Sequence, residues 1–216
     1  MDEESFAPIQ LGSFALHEIV GDGGMGQVWR GTHGATALPV AVKLITSEEA
    51  LEPAAQAAFS NEVRSMARLD HPCIAQVYDF DRVTLKAAES SSGRLIAGSP
   101  YLVMELLDAG VLDPFRYTRP WEDLKHVLLA LLSALGHAHA RGVIHRDLKP
   151  GNILFAGSTS PIPGLRLTDF GIAHALGSRE ESEVNWGTPH YMSPEQHFGE
   201  SRDFGPWTDL YALGCI

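Results

Sequence analysis

The chain contains few cysteines, and it has fewer basic than acidic residues. Only Cys73 and Cys215 occur among its 216 residues, so neither a disulfide framework nor a four-thiolate zinc site can form. Acidic residues outnumber basic residues by 27 to 16, which gives a formal net charge of −11. This balance argues against broad binding to nucleic acid or to an anionic membrane surface, since both attract basic residues. With 44% hydrophobic and 20% charged residues, the composition is that of an ordinary globular protein.

Long apolar segments are lacking as well. The first residues, Met1 to Ser5, are acidic where a secretory signal is basic. The longest apolar run extends from Val127 to Leu135, whereas a membrane span needs about 20 residues. We therefore expect no membrane span in this chain and a cytoplasmic location, and a membrane anchor beyond residue 216 would be compatible with both.

The sequence divides into a strand-rich part and a helix-rich part. β-Branched residues alternate with glycine clusters over the first 45 residues, which predicts strands and hairpins. Residues 48–69 have apolar positions at helical spacing, and a helix is expected to start at or after Pro53. Short strands are predicted at 75–80 and 101–105, with a mobile polar loop at 89–93 between them. A long helix is predicted from Trp121, with a wide apolar face made of Leu124, Val127, Leu128, Leu131, Leu132 and Leu135.

The segment from Gly21 to Val28 fits the pattern G-x-G-x-x-G-x-V, with glycines at Gly21, Gly23 and Gly26. A dinucleotide-binding turn would need a helix to open at the third glycine, but Val28 continues a strand pattern. A Walker A loop is excluded because no Gly-Lys pair occurs in the chain. Two interpretations remain, a plain glycine-rich hairpin and a hairpin whose backbone N–H groups cover phosphates.

Lys43 ends an apolar strand pattern and is one of only four lysines in the chain. It could be an edge residue that extends its ammonium group into water. Next to a phosphate-covering hairpin, it is better explained as a cation that pairs with phosphate oxygens. Glu62, on the following helix, is the candidate carboxylate to hold it, although its spacing alone fits a solvated helix face equally well.

Two polar segments carry the chemistry. The first, His145 to Asn152, places five polar functional residues in eight positions between apolar elements. The second, Asp169 to Gly171, follows a predicted strand. Asn152 and Asp169 offer the hard oxygen ligands that suit Mg²⁺, which leaves Asp147 to orient or accept a proton.

This ordered set resembles the protein kinase superfamily, specifically the eukaryotic-like serine/threonine kinases of bacteria. The resemblance covers about residues 10–216 and runs in the order of the family's motifs. The matching positions are Gly21, Gly23, Gly26, Lys43, Glu62, His145, Arg146, Asp147, Asn152, Asp169, Phe170, Gly171, Ser193, Pro194 and Glu195. It implies an α+β fold of two lobes, with an antiparallel β N-lobe and one regulatory helix in residues 1–105. Residues 106–216 would form a mainly α-helical C-lobe that is incomplete at its C-terminal end.

The resemblance implies a role for each matching residue. The three glycines would cover the phosphates of ATP, and Lys43 would contact the α- and β-phosphates while pairing with Glu62. Asp147 would accept or orient the substrate hydroxyl proton, Lys149 would steady the γ-phosphate, and Asn152 and Asp169 would hold Mg²⁺. The adenine ring would lie among Val28, Ala41, Leu154, Met104 and the hinge from Glu105 to Leu107. Met66, Val77, His145 and Phe170 would form an apolar stack seated on Asp209.

The activation segment from Asp169 to Glu195 departs from the family. Related kinases carry threonines where this chain has Glu180 and Ser182. Ser182 would be an autophosphorylation site, the surrounding acidic residues would partly mimic phosphate, or the loop would be solvated with neither role. The negative charge of the acidic stretch around Ser182 favours a basic protein substrate.

The chain stops at Ile216, inside a helix that begins near Trp207. Family members continue for several helices, so we expect a fragment or a natural truncation in which Glu195 lacks its arginine partner and Leu210, Leu213 and Ile216 are exposed. The resemblance implies a Mg-ATP-dependent serine/threonine protein kinase in signalling. The alternative is a truncated kinase-like module that binds nucleotide or a partner without phosphoryl transfer.

Overall fold

The computed structural model describes residues 8–23, 26–112, 120–157, 164–171, 189–198 and 201–216. The chain forms two compact units, Met1–Ser60 with Val77–Leu106 and Asn61–Gln76 with Leu107–Ile216. The assignment of residues 1–105 to an N-lobe and of 106–216 to a C-lobe stays a prediction. In the compact units, the second half of the first long helix and the turn after it group with the C-terminal part of the chain.

The first unit is built on one antiparallel sheet. Its strands are β1 (Ile9–Leu11), β2 (Phe14–Gly23), β3 (Gly26–His33), β4 (Pro39–Ile45), β5 (Val77–Arg82) and β6 (Pro100–Glu105). They lie in the order β1-β2-β3-β4-β6-β5. β4 is therefore an interior strand, which explains its nearly uninterrupted β-branched and apolar sequence.

Alternation along β4 assigns its side chains to two faces of the sheet. Val40, Val42 and Leu44 belong to the apolar core of this unit, together with Leu16 and Trp29. Ala41 and Lys43 therefore point to the opposite face. This alternation places the lysine away from the apolar core of its own sheet.

The helix α1 extends over Pro53–Met66, after a short 3₁₀ helix at Glu48–Leu51. The prediction that the helix starts at or after Pro53 is confirmed. Its inward side is lined by buried Phe59, Val63 and Met66.

The prediction of a polar loop at 89–93 is only partly right, because residues 89 and 90 end a helix and 91–93 form turns. The structure has a helix, α2, at Leu85–Ser90, and the Thr84 side chain caps it by accepting a hydrogen bond from the Ala87 N–H at 3.2 Å. Ser91 is fully buried, donates its hydroxyl to the Ala88 carbonyl at 2.7 Å and accepts from the Leu95 N–H at 2.9 Å. Serine side chains here satisfy the backbone locally, so a polar sequence forms an ordered connection.

The second unit contains α3 (Trp121–His139), α4 (Pro194–Phe198) and α5 (Pro206–Cys215), with the two-stranded sheet β7 (Ile153–Ala156) and β8 (Gly164–Leu167). Short 3₁₀ helices lie at Pro150–Asn152, Pro189–Tyr191 and Ser201–Asp203. In the described part of the chain, no helix is both long and apolar enough to cross a membrane.

The predicted apolar face of α3 is only partly right. Leu131 and Leu135 are buried, but Leu124 and Leu132 are exposed. The buried stripe instead continues through Ala134 and Ala138, whose small side chains allow neighbouring elements to approach closely. In α5, Leu210 is exposed as expected, whereas Leu213 is buried.

Candidate active site

The glycine-rich segment forms the hairpin between β2 and β3, as predicted. Gly23 pairs with Gly26 at its end, and Gly21 pairs with Val28. Gly26 has a φ of +136°, and a Cβ there would collide with the Leu44 carbonyl oxygen. The third glycine, Gly26, begins strand β3 and not a helix. The geometry therefore agrees with the exclusion of a dinucleotide-binding turn.

Lys43 lies at the centre of the face opposite the apolar core. Val28 and Leu102 are its cross-strand neighbours, and Ala41 pairs with Met104 one pleat further along. The lysine is only 8% exposed, so the edge-residue interpretation is wrong. A buried ammonium group needs oxygen partners, and phosphate oxygens are suitable partners for it.

The remaining residues predicted to meet adenine fall in both units. Met104 and Glu105 end β6 and are both 8% exposed. Leu154, in β7, pairs with Arg166 of β8 and forms a bridge with Val111. The assignment of Val28, Ala41, Met104, Glu105, Leu107 and Leu154 to an adenine site stays a prediction.

The catalytic-loop residues surround the carboxylate of Asp147. Lys149 donates its Nζ–H to Asp147 Oδ2 at 2.8 Å. Asn152 donates its Nδ2–H to the same oxygen at 3.0 Å and to the Asp147 carbonyl at 2.7 Å. Both of these side-chain contacts go to Oδ2, so neither occupies Oδ1. The structure thus brings together three residues that the sequence singled out.

Asn152 and Asp169 fit a magnesium site by their chemistry. Both acceptors of the Asn152 N–H group are oxygens that cannot donate, so the orientation of the amide is fixed, and Oδ1 is the atom that would be available as a metal ligand. The Thr168 N–H donates to the Asn152 carbonyl at 3.0 Å, which ties β8 to the loop one residue before Asp169. No cluster of three or more His, Cys, Asp or Glu side chains occurs among the described residues. Mg²⁺ does not need one, because it keeps waters and substrate phosphates as ligands.

Asp209 of α5 anchors the start of the catalytic loop. Its carboxylate accepts from the backbone N–H of His145 and from that of Arg146, both at 2.8 Å. The residue is 1% exposed, so these bonds lie out of contact with water. The bond to His145 agrees with the prediction that the apolar stack containing this residue is seated on Asp209.

His145 connects the loop to the Asp169–Gly171 segment. Its ring contacts Phe170 with a centroid distance of 4.6 Å, and its Nε2 lies 2.9 Å from the Thr168 carbonyl. The Gly171 N–H donates back to the His145 carbonyl at 2.9 Å. His145 and Phe170, two members of the predicted apolar stack, are therefore in contact.

His139 is a site residue that sequence reasoning missed. No sequence pattern indicated its partner, and His139 Nε2 lies 2.7 Å from Asp209 Oδ2. It therefore supports the carboxylate that holds the loop. The 70-residue separation between His139 and Asp209 carries no sequence signal, because α3 and α5 approach each other only in the folded chain.

Glu62 lies in the second unit and is not a solvated helix residue. Its side chain is 22% exposed, and Oε1 is 4.0 Å from Arg146 Nη1. A Cβ on Gly171, whose φ is +57°, would collide with this carboxylate. Burial raises the pKa of Glu62, and the nearby Arg146 guanidinium opposes that shift. The predicted pair with Lys43 stays a prediction.

Glu195 has a hydrogen-bond partner among the described residues, and the expectation about an arginine partner stays a prediction. The Thr208 hydroxyl donates to Glu195 Oε1 at 2.7 Å. Burial acts to raise the pKa of Glu195, but the hydrogen bonds from Thr208, its own backbone and Ser193 outweigh it and lower the pKa. Glu180, Ser182 and the rest of 172–188 lie outside the described residues, as do Gly24 and Met25.

Residues 14–216 match the protein kinase domain family. The chain belongs to that family. The kinase domain has the fold that the motifs predicted, an antiparallel β N-lobe and a helical C-lobe. The resemblance to the family is therefore confirmed.

Curated relatives place the kinase domain with serine/threonine kinases. It is 36% identical over 210 residues to serine/threonine-protein kinase PknA of Mycobacterium tuberculosis, covering 95% of this chain and 46% of PknA. It is 34% identical over 209 residues to serine/threonine-protein kinase PknB of Mycobacterium leprae, covering 94% of this chain and 31% of PknB. The chain thus spans half or less of the length of these relatives.

Solved structures support the fold. The kinase domain of PknI from Mycobacterium tuberculosis matches with a TM-score of 0.70 at 24% identity. The match covers 96% of this chain and 73% of the PknI domain.

Proposed function

We propose that this kinase domain transfers the γ-phosphoryl group of Mg-ATP to serine and threonine hydroxyls of protein substrates. The observation that carries the proposal is the carboxylate of Asp147, with Oδ2 held by Lys149 and Asn152 and Oδ1 occupied by neither. Phosphoryl transfer requires mainly positioning and charge stabilisation, which is what such an arrangement supplies.

Each unit supplies part of this chemistry. In the first, Gly21, Gly23 and Gly26 would cover the phosphates and buried Lys43 would contact the α- and β-phosphate oxygens. In the second, Asp147 would accept the proton of the substrate hydroxyl, and Lys149 would neutralise charge on the γ-phosphate. Asn152 and Asp169 would hold Mg²⁺, which supplies charge neutralisation at the phosphates when bound.

Finer features belong to the same proposal. The substrate would be a basic protein, given the net charge of −11. Copies of the protein would phosphorylate each other, with Ser182 as the acceptor in the activation segment. If Ser182→Ala leaves both phosphate incorporation and activity unchanged, Ser182 is not that acceptor. The cellular role would be signalling.

The test measures binding and transfer separately on the intact protein. Thermal stabilisation by Mg-ATP reports binding, and radiolabelled phosphate transfer to a generic basic protein reports catalysis. Asp147→Asn is expected to retain binding and lose transfer, because the amide cannot accept the proton. Lys43→Met is expected to lose transfer as well, since it removes the phosphate-binding cation.

The outcomes separate the kinase from a non-catalytic module. Binding without transfer by the native protein would favour the module. Transfer retained by Asp147→Asn would contradict the role of this carboxylate. Glu89→Gln, at an exposed position of α2, is the matched control and should behave as the native protein does.

A further inference from the structure

We propose that Gln196 is a positioning residue, which holds the peptide group between Arg146 and Asp147 and thereby orients the catalytic carboxylate. This inference rests on the proposed kinase function. Gln196 lies on the short helix α4, fifty residues from the loop that it contacts.

Both ends of the Gln196 amide are engaged. Nε2 donates to the Arg146 carbonyl at 2.6 Å. Oε1 accepts from the Ser193 N–H at 3.1 Å and from the Ser193 hydroxyl at 3.3 Å. A backbone carbonyl can only accept and a backbone N–H can only donate, so one orientation of the amide satisfies both contacts. The site therefore requires a side chain with a donor and an acceptor at this reach.

Arg146 needs support because of its backbone conformation. Its φ is +65°, in the left-handed region that non-glycine residues rarely adopt. Asp209 holds its N–H at 2.8 Å, and Gln196 holds its carbonyl. On the other side of the same peptide group, the Asp147 N–H lies 3.3 Å from His145 Nδ1. The peptide group between Arg146 and Asp147 is thus held at both its carbonyl oxygen and its N–H.

A structural role, in which Gln196 only attaches α4, is the competing explanation. No residue of α4 is buried, and Phe198 is 93% exposed. Apolar packing therefore contributes little at this helix, and its polar contacts matter for its attachment. The two roles differ in which contact is decisive, since attachment through Ser193 needs only the acceptor whereas positioning of Asp147 needs the donor.

The variant Gln196→Glu separates these contacts, because a carboxylate can accept from Ser193 but cannot donate to Arg146. We expect kcat to fall roughly tenfold, as for loss of one partly buried hydrogen bond, with the KM for ATP within about twofold of native. Amide hydrogen exchange at residues 146–148 should speed up by a similar factor. Gln196→Met keeps a side chain of similar length but removes both contacts, and it should show at least the same loss of kcat. It replaces Gln196→Glu in the test if that variant does not fold.

Controls make each outcome decisive. His197→Ala, at the exposed neighbouring position on α4, should leave kcat and exchange unchanged. Native kcat and native exchange in Gln196→Glu would overturn the proposal. So would a loss of kcat that follows only a general fall in melting temperature across the unit. If the native protein transfers no phosphate, the proposed function fails, and the exchange of 146–148 still tests whether Gln196 holds the loop.

Discussion

Lys43 and Asp147 are held in place in different ways. Lys43 lies on an interior strand, where backbone pairing with β3 and β6 fixes its position. Asp147 lies in a loop whose backbone is bonded by side chains from distant parts of the sequence, above all Asp209. A strand tolerates many side chains because its hydrogen bonds belong to the backbone. The loop depends on individual polar residues, so single substitutions are expected to affect the two regions differently.

The largest effect is expected from Asp209→Asn. One end of the amide cannot accept, so one of the two backbone N–H groups loses its partner in a buried position. The free energy of unfolding should fall by about 2–3 kcal/mol, and transfer should slow roughly hundredfold through displacement of the loop. Chemical denaturation and single-turnover kinetics measure the two effects. Leu210→Ala, at an exposed position of the same helix, should change stability by less than about 0.5 kcal/mol.

In the strand region, a substitution should lower the free energy of unfolding strongly only where the added side chain meets backbone atoms. Gly26→Ala would place a Cβ against the Leu44 carbonyl at a φ of +136°, and we expect a loss of about 2–3 kcal/mol. Gly23→Ala is the matched control, because no described atom lies within 4 Å of its added Cβ. Equal melting temperatures for the two variants would contradict the difference between these glycines.

A smaller effect is expected at Thr208, which bonds Glu195 and accepts from the Gly205 N–H. Thr208→Val keeps the shape and loses both bonds, for a loss of about 1–2 kcal/mol near neutral pH.

The effect of Thr208→Val should also depend on pH. The pKa of Glu195 is lowered in the fold, so its contribution is present above the unfolded pKa and lost as pH falls through the folded pKa. The stability difference between native and variant should therefore shrink in acid. A difference that stays constant from pH 7 to pH 3 would show that Thr208 does not lower this pKa. Tyr211→Phe, which is exposed, is the control.

The smallest effect is expected from Glu62→Gln. The pKa of Glu62 is raised in the fold, so its contribution is fully present below the unfolded pKa and lost as pH rises through the folded pKa. The unfolding free energy of the variant minus that of the native protein should therefore increase between pH 4 and pH 7, by less than about 1 kcal/mol. Urea unfolding at both pH values measures this difference. Asn61→Gln does not titrate, and its difference from native should not change with pH.

Much of the first unit was predictable because its signals are local. Strand alternation and glycine spacing predicted the β2–β3 hairpin and the strand that carries Lys43. The connection around Ser91 was not predictable in this way, since its order comes from serine hydroxyls that bond nearby backbone atoms. Composition alone made it resemble a mobile loop.

The second unit was predictable in its motifs and less so in its contacts. The sequence singled out Asp147, Lys149 and Asn152, which fall within six residues and meet in one short loop. His139 and Gln196 gave no usable signal, because their partners lie 70 and 50 positions away. Thr208 was also missed as the partner of Glu195. Only 13 residues separate them, but they lie in different helices, so no local spacing relates the two side chains.

The sequence by itself determined the family, the two kinds of secondary structure and the residues whose chemistry suits phosphoryl transfer. These features depend on local spacing and residue type, both of which are visible in one dimension. Tertiary structure alone decided which side chains hold the catalytic loop, that Glu62 lies beside Arg146, and that Thr208 bonds Glu195. Such contacts form only when helices and loops from distant positions are packed together, because hydrogen bonds depend on distance and direction in space.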